Sequence, residues 1–294
     1  FCFARNPVSS SRSIHVLAVQ PALRWLQPMP NMHLLRQIIE THLADTPADL
    51  IVLPEVFNGM PSDYDVNAGR AAKQFLATLA KACGVAVIGG SIDYIHDDGR
   101  RRNTCFVVDC HGHDVGNYYK RVLFGAERYA CTPGEGPGIF DINGLRVGVL
   151  ICGDLWEPRH ARELVGRVDV LCIPTKTTVP HESYTDYARR LWWNLALTRA
   201  MENGLPIVVS DWAESRQEAT VLADGSKVRN VHFTSGGTSV SDPGRRPEFD
   251  QLQQTLWRGA AGLLSVTIDL DSIARFRDYR RSVGLLSATQ EPQS

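Results

Sequence analysis

The sequence predicts an α/β protein built on a mixed sheet or on two sheets. Two observations carry this reading. Short apolar runs alternate with segments of helical spacing in the first half of the chain. Later segments pair as hairpins around turn residues. No composition break, Gly/Ser linker or fixed-period repeat divides the 294 residues. One domain over 14–285 is the economical division.

The elements follow in order. Ile14–Val19 reads as a strand and Met32–Leu43 has helical spacing. Leu50–Leu53, bounded by Asp49 and Pro54, is too short for a helix and reads as a buried strand. Ala68–Cys83 reads as a helix stopped by Gly84. Val85–Gly89 is a second buried strand. Arg102–Asp109 and Asp114–Tyr119 are strands around a His-Gly-His turn. Leu145–Ile151 and Val168–Ile173 are buried strands. Pro158–Val165 between them suits a helix, with Pro at its start and Gly166 after its end. Tyr187–Asn203 is a long helix, and Pro206–Ser210, Thr238–Ser241 and Leu263–Ile268 complete the strands. Residues 1–13, Ser-rich and without acid, and residues 286–294 read as flexible ends. A targeting remnant is the other reading of the first of these.

Composition removes several classes of function. Lys and Arg number 31 against 32 Asp and Glu, so no overall charge draws the chain to nucleic acid or an anionic membrane. There is no apolar run long enough to span a bilayer. The seven cysteines are scattered, with no CxxC pair and no zinc spacing, which favours a reducing, cytoplasmic compartment and no metal.

Three segments carry chemistry. In LIVLPEVFNG (50–59) a buried strand runs into Pro54-Glu55. Ligands of open α/β sheets sit at such carboxyl ends, and a carboxylate in apolar surroundings there suits a general base. In GNYYKRVLFGAERYACTPGEG (116–136), Lys120 follows a strand and Glu127 comes seven residues later. A lysine held between carboxylates stays cationic and can stabilise an oxyanion. In GLRVGVLICGDLWEPRHAR (144–162), an apolar strand ends in Cys152, then Gly153-Asp154, then a helix start. A thiol at that corner lies near amides that favour a thiolate and can bind an oxyanion. Read singly, each segment has a plain alternative: a surface ion pair, a solvated loop, a core cysteine. Read together, a thiol, a carboxylate and a lysine at strand ends form an acyl-transfer set.

On these residues the chain resembles the nitrilase superfamily of carbon–nitrogen hydrolases, from about Ile14 to Tyr279. LPEVF places Glu55 on the family's general base, YYKRVLF places Lys120 on its catalytic lysine, and VGVLICGDLWEP places Cys152 on its nucleophile. GAERYACTPGE places Glu127 on its second active-site glutamate. TRAMENG (198–204) and GGTSVSDPGR (236–245) match two supporting segments. The resemblance implies an α-β-β-α sandwich, a homodimer or larger homo-oligomer, and thioester chemistry on Cys152 without cofactor. Its implied substrate is a small amide, with a nitrile or an N-carbamoyl amine as alternatives. Gly153 stands where many members have an aromatic or acidic residue, and Trp156-Glu157-Pro158-Arg159 replaces an R-F-P-E stretch. Both departures bear on specificity.

Gly153, through its N–H, and Trp156 and Trp212, near strand ends, are the further candidates for binding the oxyanion or substrate. His111 and His113 read as a surface turn, and Arg100–Arg102 after Asp97-Asp98-Gly99 as a charged hairpin tip. Arg275, Arg277, Arg280 and Arg281 are candidates for an oligomer contact. A glutaminase-type Cys–His–Glu site is disfavoured, because Leu150 and Asp154 replace the glycines of its elbow. A non-catalytic binding protein on the same fold is the reading of a different class, and the intact Glu55, Lys120 and Cys152 argue against it.

Overall fold

The structure, a computed structural model, describes residues 12–60, 66–223, 226–245 and 252–286. The chain runs through β1 (Ser13–Gln20), α1 (Pro28–Leu43), β2 (Leu50–Val52), α2 (Val66–Cys83), β3 (Ala86–Ile88), β4 (Ile92–Ile95), β5 (Arg101–Val108), β6 (Asp114–Tyr119) and α3 (Glu127–Ala130). It continues with β7 (Gly138–Ile142), β8 (Leu145–Val149), α4 (Pro158–Arg162), β9 (Val170–Pro174), β10 (Thr178–Val179), α5 (Thr185–Asn203) and β11 (Ile207–Ser210). The last elements are β12 (Ser215–Ala223), β13 (Ser226–Thr234), β14 (Ser239–Ser241), β15 (Gln253–Thr255), β16 (Gly262–Asp269) and α6 (Leu270–Ser282).

Two mixed sheets make the frame. The first has the order β16-β1-β2-β3-β5-β4, with β6 on β5; the second has the order β15-β14-β11-β9-β8-β7. A third, smaller sheet is β10-β13-β12. In the first sheet β1 is parallel to β2, with Val16 opposite Leu50, and antiparallel to β16, with Val16 opposite Val266.

The period of two along a strand decides which core each side chain joins. Ile14, Val16 and Ala18 of β1, with Leu50, Val52, Ala86, Ile88, Cys105 and Val107 of its neighbours, pack in one cluster with Val147, Val149, Val170, Cys172 and Val208 of the second sheet. The alternate residues Leu17, Val19, Ile51, Val87 and Phe106 turn the other way and pack with Leu35 and Ile39 of α1 and Leu76 and Leu79 of α2. Trp192, Ala196 and Ala200 of α5 join the core of the second sheet. Helices therefore flank two stacked sheets, as the α-β-β-α expectation required. The helices α2 and α5 stop where Gly84 and Gly204 adopt left-handed φ of 65° and 58°.

Several expectations need correction. The helix at Pro158 spans only Pro158–Arg162. The strands β4, β7, β10, β12, β13 and β15 and the helices α3 and α6 are additional to the elements read from sequence. Of α6, only Leu270, Ile273 and Phe276 are buried, one narrow stripe on a largely charged helix capped by Asp269. Arg102 does not stand at a solvated hairpin tip. It lies buried in β5, bonded to both Asp98 oxygens at 3.0 and 2.6 Å and stacked over Tyr119. Cys83, Cys105, Cys131, Cys152 and Cys172 are free thiols, whereas Cys110 is disulfide-bonded, unlike the all-reduced expectation. The flexible ends expected at 1–13 and 286–294 fall mostly outside the described residues. Ser13 is already paired in β1, and Arg12 bonds Asp169 at 2.9 Å. No described helix is long and apolar enough to cross a membrane.

Candidate active site

Glu55 leaves β2 through Pro54 and is held at both backbone groups. Its N–H donates to the Thr175 carbonyl at 3.2 Å, and its carbonyl accepts the Trp212 indole N–H at 2.7 Å. The next residue, Val56, has φ of 50°, a strained value for a β-branched residue, and its N–H donates to Ser91 Oγ at 3.2 Å. Gly90 makes room for this turn: a Cβ there would meet the Pro54 carbonyl at 2.1 Å.

The carboxylate of Glu55 is buried and fully engaged. Its Oε1 accepts Lys120 Nζ at 2.7 Å and Asn103 Nδ2 at 2.9 Å, and its Oε2 accepts the Lys176 N–H at 3.0 Å. Lys120 follows β6, where its N–H donates to the Asn103 carbonyl at 2.9 Å. Its ammonium is clamped between Glu55 and Glu127, the latter at 2.8 Å. Asn103 Nδ2 also reaches Glu127 Oε1 at 2.7 Å, so one amide ties the two carboxylates together. Burial opposes the charge on Lys120, but Glu55, Cys152 and Glu127 overcome it and hold the ammonium well above its ordinary range.

Cys152 ends the run that follows β8 and begins a tight 3-10 turn over Cys152–Trp156. Its φ is 44°, so this corner too is strained. Asp154 braces the turn. Its Oδ2 accepts the Ile151 N–H at 2.9 Å and the Tyr118 hydroxyl at 2.8 Å, and its Oδ1 accepts the N–H groups of Arg121 and Val122. The Cys152 thiol is pushed up from its ordinary range by burial and by Glu55; Lys120, the Thr175 hydroxyl and the Lys176 N–H oppose this only in part. The turn therefore does not yield a resting thiolate, contrary to the expectation from its amides. A thiol in this setting needs a base as it attacks.

The structure thus brings Glu55, Lys120 and Glu127 into direct contact and sets Cys152 within their field. Gly153 follows in the turn, and a Cβ there would meet the Val122 carbonyl at 2.9 Å. Trp156 closes the turn, half exposed, with its ring edge-on to Trp192. Trp212 is fully buried and touches the site only from beneath Glu55 and Lys176. His111 and His113 sit on an exposed turn organised by Asp109.

Sequence reasoning missed Asn103, Thr175, Lys176 and Asp211. Asn103 sits inside β5 among residues that read only as strand. Asp211 accepts N–H bonds from Thr177, Trp212 and Gly237, yet burial lifts its carboxyl to about 6. Each of the four follows from strand register, which no local motif encodes.

A family model for carbon–nitrogen hydrolases matches residues 16–278. The chain belongs to the carbon–nitrogen hydrolase family, and it is a hydrolase of carbon–nitrogen bonds. It is 28% identical to the 2-oxoglutaramate amidase of Bacillus subtilis, over 71% of this chain and 87% of that one. It is 27% identical to a Pseudomonas protegens protein described as a hydrolase in the pqqF 5′ region, over 75% of this chain and 80% of that one. The crystal structure of Saccharomyces cerevisiae Nit3, a member of branch 10 of the nitrilase superfamily, superposes with a TM-score of 0.73 at 20% identity, covering 96% of this chain and 97% of that one.

Proposed function

We propose that the protein hydrolyses a small linear amide to a carboxylic acid and ammonia through a thioester on Cys152. One observation carries this reading most. Lys120 is clamped at 2.7 and 2.8 Å between Glu55 and Glu127, in the field of the Cys152 thiol. Glu55 takes the thiol proton as sulfur attacks the carbonyl carbon. Lys120 and the Gly153 N–H stabilise the oxyanion. The proton passes from Glu55 to the leaving nitrogen, the C–N bond breaks, and ammonia departs. Glu55 then deprotonates water, which attacks the thioester; the C–S bond breaks and the thiol regains its proton. Glu127 positions Lys120 and shares its charge. The half-exposed Trp156 forms a wall of the substrate entrance.

The name of the Bacillus subtilis relative, 2-oxoglutaramate amidase, supports an amide substrate. Ammonia release from aliphatic amides, ω-amido acids, carbamoyl amines and nitriles tests the reading, with Cys152→Ala alongside. Turnover of an amide class, abolished in the variant, is the expected result. Silence across the panel with an unreactive Cys152 overturns it.

A homodimer or larger assembly is part of the same proposal. The exposed Tyr184 and Tyr187 at the start of α5 support it, and sedimentation measures it. A reducing, cytoplasmic compartment is supported by the five free thiols and opposed by the disulfide at Cys110, so fractionation decides it.

A further inference from the structure

Lys176 is a second lysine of the site, and the mechanism above leaves its side chain unused. Its backbone N–H is fixed on Glu55 Oε2 at 3.0 Å, so the side chain departs from within the site. It lies between Thr175 and Thr177, both buried, and is itself partly accessible. The ammonium sits 3.5 Å from the ring centre of Trp25 and 4.7 Å from that of Trp212. Trp25 and the neighbouring His232, packed edge to face, are also partly accessible, while Trp212 forms the buried floor.

The carboxylates nearest this cation are engaged elsewhere. Glu55 and Glu127 are committed to Lys120, and Asp211 to three backbone N–H groups. Among the described residues no carboxylate pairs with Lys176. Aromatic faces attract a cation but do not neutralise it. An ammonium so placed, on a partly accessible residue whose N–H holds the catalytic glutamate, is built to receive an anion.

We propose that Lys176, over Trp25 and Trp212, is the subsite for a carboxylate at the far end of the amide substrate, so that the preferred substrates are short linear acids with a terminal amide. This rests on the amidase reading of Glu55, Lys120 and Cys152 and names its substrate class. Lys120 cannot serve the same purpose, because two carboxylates already hold it. A neutral amide of the same length leaves the Lys176 charge unanswered, and that difference sets the selectivity.

The electrostatics around Lys176 give the subsite a pH dependence. Burial draws its ammonium down to about 7, against the pull of Glu55, Asp211, Cys152 and Glu127. His232 is pushed down to about 4, first by burial and then by Lys176, and is neutral at pH 7. A bound carboxylate favours the charged form of Lys176, so binding takes up a proton near neutrality. Affinity for the acid is greatest below pH 7 and falls as pH rises above it.

Titration calorimetry on the Cys152→Ala protein tests this without turnover. Succinamate carries the carboxylate, and butyramide has the same chain length without it. Succinamate is expected to bind about tenfold more tightly at pH 6.5 than at pH 8.5, with butyramide nearly unchanged. Adding Lys176→Met, which keeps the apolar stem over the indoles, is expected to weaken succinamate about 10- to 100-fold and to remove its pH dependence. The proposal is overturned if succinamate binds no better than butyramide at pH 6.5, if its affinity ignores pH, or if it does not bind. Should Lys176→Met fail to fold, the two-pH comparison on the Cys152→Ala protein still decides. The ammonia panel is read separately: amide turnover without preference for the acid keeps the catalytic reading and removes this one.

Discussion

The Asp154 carboxylate accepts the Val122 N–H at 2.6 Å, tying the turn of Cys152 to the loop that follows Lys120. Three more donors, from Tyr118, Arg121 and Ile151, complete its shell. Asp154→Asn sets an amide N–H against donors that have no other acceptor. It should cost about 2–4 kcal/mol in urea unfolding, with kcat falling more than KM rises. Unchanged stability and kcat would show that the brace is dispensable.

Cys152→Ala should lower amide turnover by at least about four orders of magnitude, because nucleophile, base and lysine act as a unit. The melting temperature should stay close to that of the parent. Residual turnover within tenfold would place the nucleophile elsewhere.

Trp212→Phe keeps a ring under Lys176 but removes the N–H that holds the Glu55 carbonyl. The expected loss is about 1 kcal/mol of stability. A fall of about tenfold in kcat, with little change in KM, should accompany it. An equal rise in KM would indicate a role in binding.

The raised Cys152 pKa makes a prediction about alkylation. Because burial and Glu55 disfavour the thiolate, iodoacetamide labelling should keep accelerating from pH 7 to pH 9. A plateau below pH 8 would reveal a resting thiolate.

His232 adds a stability term with a definite sign. Its pKa is lowered from 6.5 to about 4 by burial and by Lys176. The unfolded chain therefore binds the proton first, and stability present above pH 6.5 is lost as pH falls toward 4. His232→Gln should flatten this part of the urea-midpoint profile; an unaltered slope assigns it to other groups.

Sequence made the frame readable where burial is two-sided. β2 and β9 are continuous apolar runs, and β8, with Arg146 its one charged residue, runs on through Leu150 and Ile151 to Cys152, as β2 runs on to Glu55. Lys120 and Glu127 were visible through their spacing after β6. The β12–β13 hairpin was not visible, because its strands pair mainly with each other and carry no apolar alternation. Nor was Lys176: it looks like any surface lysine until β9 delivers it to Glu55. Cys152 illustrates the limit differently. Its position was readable, but its protonation depends on Glu55 and on burial, both set by distant segments.

Glu55 and Lys120 hang from the first sheet, whereas Cys152 and Lys176 hang from the second. Neither layer carries a working half. Turnover therefore gauges the docking of one layer on the other. A loosened molecule that kept its helical signal but let the layers slip would fall silent while still looking folded by circular dichroism. Activity should disappear at lower denaturant than secondary structure does.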